Sequence, residues 1–328
     1  MSPRPAFGVG LFATEPVARM VELARLAEGL GFDTIWIGDS HMIWREAWVT
    51  LTACALATTR VRLGTAVTNP LTRDPSVTAS AALSVQELSG GRMALGLGLG
   101  DSAVHTMGAK PVTLKTLEDV IDRTRRLHRG ETIATPGGPL RILAAPVTPV
   151  PIYVAASGPR LLELAGRAAD GAIVLVGIDP RYVEAGVASV RRGAVAAGKR
   201  PGDVRVTLWV PCAIGGDRAT LGAVKAHIAR TIIRPLPFAL DALETETARQ
   251  VRAAYDYYQH MDVKSDHGRL VPDALVSRWA FAGDPGPFKD AVARAGELGV
   301  DEVAIIPYAP PGKDRAEVIR AFGQEVIR

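Results

Sequence analysis

Three features of the sequence predict an α/β chain folded as a (β/α)8 TIM barrel. Short apolar runs alternate with amphipathic helical stretches from one end to the other, eight such runs can be picked out, and helical sequence follows each. A length of 328 residues is compatible with one domain over residues 1–328, because βα barrels often pass about 250 residues without dividing. A doubly wound parallel sheet is the rival arrangement.

The elements follow in order. Phe7 to Phe12 is the first strand, and Pro16 to Leu30 a helix with apolar residues at Val17, Met20, Val21, Ala24 and Ala27, closed by Gly31. Thr34 to Gly38 is the second strand, Trp48 to Thr58 a helix, Val61 to Val67 the third strand and Pro75 to Leu88 the next helix. Arg92 to Leu97 is the fourth strand and Leu117 to His128 a helix. Ile152 to Ala155 is the fifth strand, Ala172 to Val176 the sixth, Arg181 to Ala197 a helix, Val204 to Val210 the seventh strand and Val303 to Pro307 the eighth. The segment from about 218 to 279 is too long for one helical connection, so we expect a helical insertion before the last strand. No internal repeat or low-complexity linker marks a domain boundary.

Val150 to Gly177 is the stretch richest in chemistry. Its strand runs into the small residues Ala155 to Gly158, and Pro159 suits the first turn of the following helix. The free N–H groups of Ser157, Gly158 and Arg160 can then converge on an anion such as a phosphate. The plainer reading is a βαβ unit whose serine caps its own helix.

Composition removes several classes of function. Hydrophobic residues make up 48% and charged residues 22%, as in an ordinary folded chain with a large core. The net charge of +4 is mild, and basic residues are scattered without interleaved aromatics, so no nucleic-acid partner is expected. Cys54 and Cys212 stand far apart outside any CxxC spacing, which suits a reducing cytoplasm and excludes a cysteine-built metal site. The N-terminal MSPRPAFGVGLF lacks the apolar segment of a signal peptide, and no run approaches the ~18 residues of a membrane span. We therefore expect a cytoplasmic protein with no membrane partner.

Barrel logic directs attention to the residues just after each strand. Asp39, Ser40, His41 and Trp44 follow the second, Thr68, Asn69 and Arg73 the third, and Gly98, Gly100, Asp101 and Ser102 the fourth. Each has a duller alternative: Asp39 as an Asx turn, His41 as a surface histidine, Trp44 as packing, Asp101 as a cap. Gly98, Gly100 and Ala103 also fit the dinucleotide pattern G-x-G-x-x-G/A, with Glu118 about 20 residues on. Gly108 and Pro111 interrupt the long helix that pattern requires, so it is set aside. There is no P-loop, HExxH or G-x-S-x-G, and no histidine has metal spacing with a carboxylate; no metal is expected.

Arg62 to Gly108, Val150 to Gly171 and Phe281 to Pro307 together resemble the luciferase-like flavin and deazaflavin oxidoreductases. The resemblance is to their methylenetetrahydromethanopterin reductase branch, with the coenzyme F420-dependent glucose-6-phosphate dehydrogenases further off. It covers nearly the whole barrel and is weakest from Arg218 to Arg278. It implies a non-prolyl cis peptide between Ala66 and Val67 behind the cofactor ring, Thr68 and Asn69 flanking that ring, and Asp39 with Ser40 near its polar edge. Ser157, Gly158 and Pro159, with Gly177, would hold its phosphate. Three positions depart from the pattern: Gly10 replaces a glutamate, Ser40 takes a histidine position with His41 one place later, and Ile178 replaces a lysine.

The resemblance implies an oxidoreductase moving a hydride between F420 and a small organic substrate; hydride transfer leaves charge that needs a proton partner, and the rim residues Asp101 and His41 are the candidates for it, with Trp44 in the catalytic group. An FMN-dependent monooxygenase fed by a separate cofactor reductase keeps the fold and changes the cofactor. A non-catalytic flavin-binding barrel is the rival of another class. The resemblance also implies a homodimer, for which the alanine-rich helices between Trp48 and Leu88 are suitable.

Overall fold

A computed structural model describes residues 4–143 and 148–328, so the first three residues of MSPRPAFGVGLF lie outside the described residues. Its strands are β1 (Ala6–Leu11), β2 (Thr34–Ile37), β3 (Arg62–Thr65), β4 (Met93–Leu97), β5 (Ile133–Thr135), β6 (Gly138–Leu140), β7 (Ile152–Ala156), β8 (Gly171–Val174), β9 (Arg205–Ile214), β10 (Phe281–Gly283) and β11 (Glu302–Pro307). Eight of them close a parallel barrel in the order β1, β2, β3, β4, β7, β8, β9, β11 and back to β1. This is the predicted TIM barrel, and a doubly wound sheet is excluded by the closure between β11 and β1.

Indole rings fill the barrel interior opposite the strand glycines Gly10 and Gly64. A Cβ on Gly64 would stand 2.3 Å from the Trp36 ring, and one on Gly10 would stand 2.4 Å from the Trp209 ring. Trp209 therefore occupies the space over Gly10, one of the positions that depart from the expected pattern, and in a close-packed interior that volume is exclusive.

Local chemistry sets the helix ends. Gly31 closes the helix Val17–Leu30 in the left-handed region at φ 97°. The Asp74 carboxylate accepts from Ser76 N at 2.8 Å and starts Pro75–Leu88. The helix Leu114–His128 begins three residues earlier than the sequence suggests, because Thr113 Oγ1 accepts from Thr116 N at 3.1 Å. The β5–β6 hairpin stands outside the barrel and carries no strong alternation, which is why the sequence does not announce it.

The stretch after β9 holds the helices Arg218–Ile232, Ala242–Ala254 and Asp273–Trp279, with short 3-10 turns at Tyr257–Gln259 and His267–Leu270. β9 runs to Ile214, beyond the expected Val210, because its last residues pair with β10, where the chain returns from the insertion. The buried Glu244 anchors the insertion, accepting from Tyr182 Oη at 2.6 Å and from Trp279 Nε1 at 3.1 Å. No helix among the described residues is long and apolar enough to cross a membrane.

Candidate active site

A cavity of about 430 Å³ opens at the C-terminal ends of the barrel strands. One wall comes from the barrel. The Ala66–Val67 peptide is cis, as expected, and the chain bulges there before Thr68 rejoins β4 through Thr68 N to Gly96 O at 3.1 Å. Close approach dictates the neighbouring glycines. A Cβ on Gly96 would fall 2.0 Å from Thr65 O, and one on Gly98 would fall 2.8 Å from Val67 Cγ2. The G-x-G spacing of this segment thus serves the bulge and not a pyrophosphate.

Ala66, Val67, Thr68, Asn69 and Asp39 all face the cavity. Asn69 Oδ1 accepts from Leu71 N and Thr72 N, both at 3.0 Å, which fixes the turn after β3. Thr68 Oγ1 is buried without a partner; it lies close to Asp39 yet makes no hydrogen bond of good geometry. Burial raises the Asp39 pKa, helped by the Glu46 carboxylate and opposed by Thr68 and Arg73.

Ser157, Gly158, Pro159 and Arg160 form the next part of the wall, at the start of the helix Pro159–Ala168. Gly158 is the N-cap and the helix has no side-chain cap, so Ser157 does not act as one. Among the described residues no backbone acceptor takes the N–H groups of Gly158 or Arg160. They remain available to an anion in the cavity. A Cβ on Gly158 would meet Pro235 Cβ at 3.0 Å, so this glycine also lets the insertion close over the cradle.

The opposite wall comes from the insertion. Arg230, Arg234, His260 and Met261 line it. Arg230 Nη2 donates to Asp101 Oδ1 at 2.7 Å and its Nε to Oδ2 at 3.2 Å, while Arg234 Nη2 pairs with Oδ2. His260 shares a 2.5 Å hydrogen bond with Tyr255 Oη through Nδ1, and burial pushes its pKa down to about 3. Met261 stands out among the described residues as a non-glycine with positive φ, 61°, a conformation that often accompanies a functional turn.

Several expected residues take other places. Asp101 lines the cavity, but a raised pKa suited to donating a proton is not found. Burial alone would raise it, yet the Arg234 and Arg230 guanidinium groups outweigh burial and hold the carboxyl well below its usual range. His41 is exposed and outside the cavity lining, because the loop turns it outward while Ser40 turns in. Ser40 is buried and its Oγ pairs with Ser102 Oγ at 2.8 Å, pinning one rim loop to the next instead of facing a ligand. Trp44 lines the cavity as an apolar wall stacked on Phe12 at 4.3 Å. Gly177 does not reach the cavity; it adopts φ 86° so that Ile178 N and Asp179 N can bind Arg278 O, and a Cβ there would strike that carbonyl at 2.8 Å.

Sequence reasoning missed Arg230, Arg234, Tyr255 and His260. The available signal was weak: two arginines four apart at the end of a helix, in the region where the family resemblance fades. Among the described residues no cluster of three or more His, Cys, Asp or Glu could hold a metal ion.

The family model described as luciferase-like monooxygenase matches residues 4–302. The chain is 32% identical to 5,10-methylenetetrahydromethanopterin reductase of Methanolobus tindarius, over 98% of this chain and 99% of that one. It is 28% identical to F420-dependent glucose-6-phosphate dehydrogenase of Amycolatopsis mediterranei, over 94% of this chain and 93% of the relative. The solved structure of coenzyme F420 dependent tetrahydromethanopterin reductase from Methanopyrus kandleri superposes with a TM-score of 0.79 at 26% identity, covering 99% of each chain.

Proposed function

The chain belongs to the luciferase-like monooxygenase family, and on that footing we propose that it is an oxidoreductase moving a hydride between coenzyme F420 and a small organic substrate at the barrel mouth. One observation carries the reading: the apolar bulge at Ala66–Val67 and the free N–H groups at Gly158 and Arg160 border the same cavity. A planar ring with a ribityl phosphate needs that pair of features, a flat backing and an anion cradle. The unpaired Thr68 hydroxyl adds a polar contact for the ring's edge.

When bound, the deazaflavin supplies the carbon that gives or takes the hydride. The protein's part is to back the ring with Ala66 and Val67, close its open side with Trp44 and Met261, and supply a proton. Asp39 is the suitable acid, because burial keeps its carboxyl protonated to higher pH than usual, whereas Asp101 stays ionised between two arginines.

Trp44 and Trp209 both line the cavity, so intrinsic fluorescence reports its occupancy. Titration with F420 is expected to quench it to saturation, with FMN binding more weakly. Preference for FMN would favour the monooxygenase with a separate reductase, and binding of neither cofactor would sink both readings. Tight binding of F420 without hydride transfer to any of a broad panel of substrates would favour the non-catalytic barrel.

The assembly we propose is a homodimer. The helix Ala47–Ala57 leaves Val49 and Leu56 exposed, and Pro75–Leu88 leaves Val77 and Leu88 exposed. Light scattering that returned only the 34.7 kDa monomer at micromolar protein would refute it.

A further inference from the structure

We propose that Arg230 and Arg234, bridged by Asp101, form a second anion site in the cavity, which recognises a carboxylate or phosphate beyond the cofactor's ribityl phosphate. The inference rests on the proposed function only in assuming that a cofactor shares this cavity.

The charges at this wall do not balance. One carboxylate faces two guanidinium groups, and both its oxygens are engaged. Arg234 Nε is buried without any partner. The cavity lining offers no second acid for them: the groups around the two arginines are Tyr255, Tyr257 and a His260 kept neutral by burial, and the other cavity acid, Asp39, is pushed toward its neutral form by burial. An excess guanidinium with a buried, unpartnered Nε is costly to leave unpaired, and an incoming anion removes that cost.

The pair is also held in place in advance. Arg230 stacks against the Tyr255 and Tyr257 rings, 5.6 and 5.9 Å from their centroids, while Asp101 fixes the other edge of its fork. Arg234 precedes Pro235, which touches Gly158, so the second site stands beside the phosphate cradle. A planar, rigid pair of donors suits the geometry of a carboxylate or phosphate. The acidic group can belong to the substrate or to the acidic tail of F420, and the two sources can be separated.

Inorganic phosphate is titrated calorimetrically into the full-length protein saturated with F420, whose own phosphate fills the cradle. We expect binding that weakens at least tenfold in Arg234→Gln and strengthens in Asp101→Asn, which unmasks positive charge. A purely structural bridge predicts weakening, or no change, in both. Arg234→Lys keeps the charge and is expected to recover part of the loss, which guards against misfolding of the glutamine variant; thermal melts accompany each variant. That pattern assigns the site to the substrate. If phosphate does not bind but Arg234→Gln weakens F420 at least tenfold, while the fragment that keeps the ribityl phosphate and lacks the tail is unaffected, the site holds the cofactor's tail. If neither titration responds to the variants, the proposal is overturned. Should F420 itself fail to bind the parent protein, the proposed cofactor is lost, and phosphate titrated into the cofactor-free protein and the same variants still decides the anion site.

Discussion

At the N-terminal end of the barrel the buried Glu302 accepts from Trp36 Nε1 at 2.7 Å and from Thr34 Oγ1 at 2.9 Å, with Arg62 Nη2 at 3.2 Å. At the C-terminal end Asp39 borders a cavity, the Thr68 hydroxyl beside it has no partner, and Arg234 keeps an unpaired Nε. Both ends bury charge under the same strands, but the Glu302 carboxylate is engaged through both oxygens within the protein, whereas Thr68 and Arg234 leave polar atoms without a protein partner beside a cavity. A satisfied polar cluster holds the barrel together; unpartnered polar atoms that border a cavity are where a ligand can bind.

Substitutions at each end test this contrast. The largest effect is expected at Glu302→Ala, which strands three donors at once and should cost about 3 kcal/mol or more of stability by denaturant titration. F420 affinity of the folded protein should stay within a few-fold of the parent; a large loss there, with stability intact, would break the division between the two ends.

Asp39→Asn should act the other way. The chemical step is expected to fall about 100-fold, roughly 2.7 kcal/mol, in single-turnover measurements. Stability should respond with a definite sign. Burial raises the folded pKa of Asp39, so the native state binds the proton more tightly than the unfolded chain and loses stability as pH rises through that raised value. The asparagine variant should therefore melt at a higher temperature than the parent near pH 8 and gain less near pH 4. An unchanged turnover rate would leave Asp39 as a cofactor contact only.

A smaller change is expected from Gly158→Val. Its added carbons meet Pro235 and distort the cradle, and F420 affinity should drop at least tenfold, about 1.4 kcal/mol. Full affinity in a folded variant would move the phosphate away from this helix.

The mildest effect near neutrality belongs to His227 and His260, both pushed down to about 3 by burial. The unfolded chain takes up protons on these rings near pH 6.5 while the folded protein does not, so stability should decline as pH falls below that value and decline faster toward pH 4. Proton NMR of the ring C–H groups should show no titration of either residue between pH 5 and 8; a midpoint in that window would make His260 a proton carrier.

Much of the barrel half of the site was legible in the sequence. Strand period and turn residues located the ends of β2, β3, β4 and β7, so Asp39, Thr68, Asn69, Asp101 and Ser157 were singled out as rim residues, and Pro159 marked the helix start that exposes the cradle. The insertion half was not legible. Arg230 and Arg234 act through a carboxylate more than 120 residues away in sequence, and nothing in their own segment reveals it.

The sequence by itself determined the alternation that closes the barrel, because the period of apolar residues is a local property. The tertiary structure decided which charges meet. It turned Asp101 from an expected proton donor into the counterion of two arginines, sent His41 to solvent, placed Trp209 over Gly10, and spent Gly177 on holding the insertion's Arg278 carbonyl. A pKa depends on desolvation and on the charges within a few ångströms, and those neighbours exist only once distant segments have packed.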